Sequence, residues 1–154
     1  MAHRVSNTMS SSQLSSSPSF LAQLLITACD IVHKAKDVAE NMNLLHNSIL
    51  EYEPSNVAIY YSTSRLFSRL CGRDSSVLEV TRRMMKEACS IRPSDSSLYA
   101  ELAYQHRLAG SYGLALDTYR DAAKYDESNV DALNGNIYCQ IMQGSLEDAE
   151  QQVR

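Results

Sequence analysis

The sequence contains no tryptophan, and tyrosine, at nine residues, supplies most of its aromatic surface. Its four cysteines, Cys29, Cys71, Cys89 and Cys139, lie far apart with no C-x-x-C pair. The four histidines, His3, His33, His46 and His106, are equally scattered. This spacing gives no metal framework and reads as reduced core or surface thiols of a cytosolic protein. Positive charge is also in short supply. Fourteen Lys and Arg stand against eighteen Asp and Glu, for a net charge of −4 and a pI near 5.5. A general nucleic-acid binder would show a basic stripe, and none is present. The richest apolar stretch, Phe20 to Ile26, falls far short of a membrane span, so no membrane insertion is expected. Arg4 is followed by serines rather than an apolar run, unlike a secretory signal. Short β-branched runs between helical segments, which a parallel sheet would need, are missing.

The signatures of chemistry are missing too. No Ser/His/Asp or Cys/His set has a local pattern, no glycine loop is placed to cradle phosphate, and H-E-x-x-H does not occur. The acidic residues fall mainly on exposed helix positions, as solvated faces do. The expectation is a non-enzymatic chain with no cofactor and no metal.

What the chain does have is a period. Gly110 and Gly144 lie 34 residues apart, as do Tyr99 and Leu133, Tyr112 and Leu146, Ala115 and Ala149, and Tyr119 and Val153. This is the period of the tetratricopeptide repeat, a helix–turn–helix unit that stacks into a solenoid. The stretch Ser96–Asn129 fits best, with Tyr99, Leu102, Ala103, His106, Gly110, Ala115, Tyr119 and Ala122. Ala103 and Ala115 are small where two helices cross closely. Gly110 is placed to end the first helix in a left-handed conformation. Tyr99 and Tyr119 fill the space between helices. The pattern departs at His106, where an aromatic or Leu is commoner, and at Glu127, where Pro is commoner.

The unit from Val130 keeps Leu133, Gly144, Leu146, Ala149 and Val153 but puts Asn136 and Ile137 where Leu and a small residue belong. The preceding unit, 57–93, offers Tyr60, Ser64, Phe67, Met85, Ala88 and Pro93. Pro54 and Pro93 are 39 residues apart, five more than one period. The segment Cys71–Ser76 is the expected place for the surplus, as a longer turn.

Helices are therefore expected near 57–70, 76–91, 96–109, 112–125, 130–143 and 145 to the end. Polar caps come from Ser94-Asp95-Ser96 and Glu127-Ser128-Asn129. Upstream, Ser17-Pro18 starts a helix carrying Phe20, Leu21, Leu24, Leu25, Ala28, Ile31, Val32 and Ala35 at helical spacing. Asp37 with Glu40 resembles a capping box for a second helix bearing Val38, Met42, Leu45 and Ile49. No Gly or Pro interrupts residues 19–52, so a single long helix is the alternative. Residues 1–17 hold seven serines and few apolar residues, and read as a disordered tail. The reading is all-α: a tetratricopeptide-repeat solenoid of antiparallel helix pairs over 18–154, with its last unit, 130–154, cut short at Arg154. That stop suggests a piece or short form of a longer array.

In such arrays the first helix of each pair lines the concave groove. Counting along the repeats places Tyr61, Arg65 and Arg69 there, then Tyr104 and Arg107, then Asn134 and Tyr138. Tyr and Arg often carry interface energy, and Arg takes carboxylates bidentately. An extended acidic and apolar segment is a reasonable guest, although tyrosines also serve purely as packing. Some relatives clamp a chaperone's terminal carboxylate with Lys and Asn. Here those positions hold Tyr61, Arg65, Ala100 and Tyr104, which departs from the clamp. Arg82, Arg83 and Lys86 form a basic cluster on a second helix, a solvated face or a site for an acidic partner.

The run Ala115 to Met142, ALDTYRDAAKYDESNVDALNGNIYCQIM, and the preceding Leu98–Tyr104, LYAELAY, resemble the tetratricopeptide repeat protein 21 family. The resemblance extends back toward residue 18. It implies a long helical scaffold within intraflagellar transport complex A, acting in retrograde ciliary transport and cilium assembly. It also implies partners among that complex's subunits and a place in the cytoplasm and cilium, at the ciliary base or axoneme. No catalytic residue comes with it. A peptide-binding adaptor or co-chaperone that captures a short acidic motif is the alternative.

Overall fold

The computed structural model describes residues 18–33, 36–144 and 146–154. The expected tail, 1–17, lies outside them, as do the side chains of Leu146 and Ala149. Within the described residues the chain is all-α and without strands. The helices are α1 Pro18–Val32, α2 Val38–Tyr52, α3 Val57–Leu70, α4 Ser75–Ile91, α5 Ser96–Leu108, α6 Tyr112–Tyr125, α7 Val130–Met142 and α8 Leu146–Val153. Helices this short are marginal alone in water, so packing must hold them. Helix α1 packs on α2, each of α3 to α7 packs on the helix that follows it, α2 lies against α4, and α1, α3, α5 and α7 also touch in series. That is the stacking of a solenoid.

Polar residues before each helix explain where several begin. The side chains of Asn56, Asp74, Asp95 and Asn129 accept hydrogen bonds from the first free backbone N–H groups of α3, α4, α5 and α7. Gly110 and Gly144 close α5 and α7 with φ of +77° and +81°. A Cβ at either would meet nothing, so the demand there is conformational rather than steric. Asp37 departs from expectation. It precedes α2 but makes no side-chain cap bond, because its φ of −96° and ψ of 11° are not the extended cap geometry. The chain does break between α1 and α2, so the single long helix does not form. The pair is tied by Asn41 Nδ2 donating to Asp30 Oδ2 at 2.6 Å.

The surplus residues of the 57–93 unit also sit elsewhere than the turn. The α3–α4 connection is Cys71–Asp74, only one residue longer than Ala109–Ser111 between α5 and α6. Three of the five extra residues lengthen α4, which has 17 residues against 14 in α6. Val77, Leu78, Val80, Thr81, Met84, Met85, Ala88 and Cys89 are all buried along α4. The added turn therefore contributes apolar surface, which a longer loop would not.

Two buried clusters meet at α5. One runs from Phe20 through Met42, Tyr60, Phe67 and Met84 to Leu98 and Leu102. The other gathers Ala100, Ala103, Ala115, Leu116, Tyr119, Ala122, Ala132 and Cys139. Ala103 and Ala115 are wholly buried, as their size anticipates. Tyr119 lies against Gly135 of α7, where an added Cβ would fall 2.1 Å from the ring's Cζ. The small residue expected at Ile137 is thus supplied two positions earlier, and α7 forms. The hydroxyls of Tyr60 and Tyr99 donate to Pro54 O at 3.3 Å and Pro93 O at 3.0 Å, each six residues back.

Candidate functional site

The first helices α3, α5 and α7 present their shared face around a recess of about 280 Å³. Tyr61, Arg65, Arg69, Tyr104, Arg107 and Asn134 all line it, together with Ala100, Glu101, Asp131 and Gly135. Tyr138 stands beside this wall and is joined to it through Arg107. The repeat count therefore brings all seven side chains to one region.

The three arginines are held differently. Arg69 Nη1 and Nη2 donate to Glu101 Oε1 and Oε2 at 2.6 and 2.9 Å, a bidentate pair. Glu101 is buried, and Oε1 accepts a further bond from Gln105 Nε2 at 2.9 Å. That same nitrogen donates to Ser64 Oγ at 2.7 Å, and Ser64 Oγ donates to Thr81 O at 2.8 Å. A polar ladder thus crosses from α3 to α5, returns to α3 at Ser64 and goes on to α4. Gln105 Oε1 is buried beside it with no partner among the described residues.

Arg107 is held by rings. Its Cζ lies 4.6 Å from the Tyr104 centroid and 4.3 Å from that of Tyr138. Arg69 lies 4.0 Å from the same Tyr104 ring. Arg69, Tyr104, Arg107 and Tyr138 form a continuous cation–π series across α3, α5 and α7. Tyr138 in turn lies 6.3 Å from Tyr112 of α6. Arg65 is exposed, donating to Tyr61 Oη at 3.3 Å. Within the described residues, neither Arg65 nor Arg107 reaches a carboxylate as Arg69 does.

Glu101 and Gln105 were not singled out in the sequence. The available signal was their helical register: Glu101, Tyr104 and Gln105 lie three and four residues apart, on one face with the groove tyrosine. The basic cluster stands apart from the recess. Arg82 Nε donates to Leu78 O at 3.1 Å, and Arg83 Nη2 donates to Asn43 Oδ1 at 2.5 Å. With Lys86, Arg82 instead acts on His106, whose imidazole is buried. Burial first, then these two cations, push its pKa down to about 4.

Outside the recess, burial, then the Asp95 charge, pushes the Cys89 thiol up to about 11, away from reactivity. Burial likewise raises the Tyr119 phenol to about 12. Among the described residues no three His, Cys, Asp or Glu gather where they could hold a metal. No described helix is long and apolar enough to cross a membrane. The recess offers aromatic rings, guanidinium groups and an amide, side chains of the kinds that recur at protein interfaces.

Residues 19–154 match the model of the tetratricopeptide repeat protein 21 second ARM domain. The chain is 37% identical over 122 residues to human tetratricopeptide repeat protein 21B, covering 79% of this chain and 9% of that protein. It is 31% identical over 115 residues to mouse tetratricopeptide repeat protein 21A, covering 75% and 9%. The chain thus spans about a tenth of the length of these curated relatives. Among solved structures, a mutant of MamA superposes with a TM-score of 0.57 at 14% identity, over 86% of this chain and 90% of that one. This second likeness shows the fold alone.

Proposed function

This chain belongs to the tetratricopeptide repeat protein 21 family, and from that membership we propose that it is a segment of an intraflagellar transport scaffold. In this reading it docks onto subunits of complex A in the cytoplasm and cilium through the face formed by α3, α5 and α7. The observation that carries the docking face is the convergence of Tyr61, Arg65, Arg69, Tyr104, Arg107 and Asn134 on one recess. Side chains of these types, fixed on rigid helices, lose little entropy when a partner arrives. A family built of helical repeats works by presenting such surfaces, and each helix pair contributes a strip of the whole.

The test is association in ciliated cells. A tagged copy of the chain is expected to co-purify with complex A subunits and to concentrate at the ciliary base and axoneme. A Tyr61→Ala, Arg107→Gln copy that keeps its helical content should lose that association. Uniform cytoplasmic distribution with no complex A subunit recovered would contradict the reading.

A further inference from the structure

We propose that the recess binds the acidic side chains of an extended segment of a partner protein, with Arg107 and Arg65 as the carboxylate-holding residues. The inference rests on the reading that this face binds protein, and it adds the chemistry of the partner.

The three arginines make the case by their differences. Arg69 is already spent, because its two terminal nitrogens are on Glu101 at 2.6 and 2.9 Å. Arg107 has the opposite arrangement. The ring centroids of Tyr104 and Tyr138 lie 4.6 and 4.3 Å from its guanidinium carbon, and its N–H groups meet no acceptor among the described residues. A guanidinium fixed between two rings keeps its N–H groups for a bidentate acceptor, which is what a carboxylate provides. Arg65 is exposed on α3, and among the described residues its one side-chain hydrogen bond is the 3.3 Å contact with Tyr61 Oη. The two therefore bring positive charge to the recess that no described carboxylate neutralises by pairing, on a chain whose net charge is −4.

The rest of the lining sets the guest's form. Asp131 also faces the recess and would repel an acid placed at the α7 end, so the carboxylates belong toward α3 and α5. Asn134 offers an amide to the guest's backbone, and the half-buried Tyr61 offers ring surface beside Arg65, whereas the Tyr104 ring is taken up by Arg69 and Arg107. An extended segment that alternates Asp or Glu with aliphatic residues fits this order of groups.

The experiment titrates the full 154-residue chain into a labelled synthetic peptide alternating Asp and Glu with Leu and Val, acetylated and amidated at its ends. Its Asn/Gln counterpart is the comparison, and a third peptide carries the neutral sequence with a free C-terminus. The acidic peptide is expected to bind about tenfold or more tightly than the neutral one, with affinity falling as salt rises. Arg107→Gln and Arg65→Gln should each remove most of that difference, and Arg120→Gln on α6 should leave it unchanged. If Arg107→Gln lowers the melting temperature, the exposed Arg65→Gln carries the test, with Arg107→Lys expected to fall between wild type and Arg107→Gln. Equal binding of acidic and neutral peptides would overturn the proposal. So would indifference to both arginine substitutions, or tight binding only of the free C-terminus. Any of these with complex association intact would remove this inference and leave the scaffold reading standing.

Discussion

Arg69 and Glu101 join two successive repeats through paired hydrogen bonds of 2.6 and 2.9 Å. The Glu101 side chain is only 6% exposed and that of Arg69 35%. The pair is therefore half-sheltered, and its loss falls mostly on the buried partner. Arg69→Ala is expected to destabilise by about 1–3 kcal/mol, since it leaves a buried carboxylate held by Gln105 alone. Changing both residues should cost less than the sum of the single changes. A double-mutant cycle in urea checks this, and simple additivity would show that the bonds contribute nothing specific.

Tyr119 and Gly135 set the contact between α6 and α7. Gly135→Ala places a Cβ 2.1 Å from the Tyr119 ring. Overpacking is expected to outweigh the helix-propensity gain and cost about 1–3 kcal/mol. Gly113→Ala in α6 is the contrast. Its Cβ would lie 3.5 Å from Gln143 Nε2, an ordinary contact, so stability should stay level or rise by roughly 0.5–1 kcal/mol. Thermal melts should show Gly135→Ala falling while Gly113→Ala holds or rises.

Ala103 is wholly buried in the same cluster as Ala115. Ala103→Leu should lower the denaturation midpoint by the equivalent of about 1–3 kcal/mol. Asp117, whose side chain is 74% exposed, is the control, and Asp117→Ala should stay within about 0.5 kcal/mol. A midpoint unmoved by Ala103→Leu would contradict the packing at this crossing.

His106 makes stability depend on pH. Its pKa is about 4 when folded, against 6.5 for the free side chain. Between those values the unfolded chain binds the extra proton. The contribution is complete above pH 6.5 and is lost as pH falls toward 4, up to about 3 kcal/mol. Burial lowers the pKa of His46 as well, so His106→Phe should flatten the curve in part. Urea midpoints at pH 7.5 and pH 5 measure it. An unchanged slope in His106→Phe would assign the effect elsewhere.

Thiol accessibility separates the cysteines. Cys29 is exposed, whereas Cys71, Cys89 and Cys139 are buried. Under native conditions Cys29 should react with iodoacetamide well before the other three, and denaturant should abolish the difference.

The reach of the sequence can be judged from particular residues. Gly110, Gly144, Asp95 and Asn129 mark helix ends by local chemistry, and the boundaries of α3 to α7 follow them within a residue or two. Counting first-helix positions brings Tyr61, Arg65, Arg69, Tyr104, Arg107 and Asn134 to one recess, because a solenoid converts period into a shared face. The failures were of other kinds. Asp37 has the right residue type but the wrong backbone angles. The surplus in the 57–93 unit entered α4 because apolar residues there could be buried. Glu101 and Gln105 are not legible in the sequence, because the buried Glu101 takes its role from Arg69, 32 residues away, and composition alone reads an acid on a helix as solvated.

The docking face is the central claim, and hydroxyl-radical footprinting of tyrosines tests it most directly. Tyr138 is 38% exposed on the first-helix face, where Tyr61 and Tyr104 are half-buried; Tyr52 and Tyr125, away from the recess, are 47% and 49% exposed. When purified complex A subunits are added, the docking proposal predicts that labelling of Tyr61, Tyr104 and Tyr138 falls while Tyr52 and Tyr125 stay unchanged. Protection of Tyr52 and Tyr125 with undiminished labelling of the other three would contradict the account.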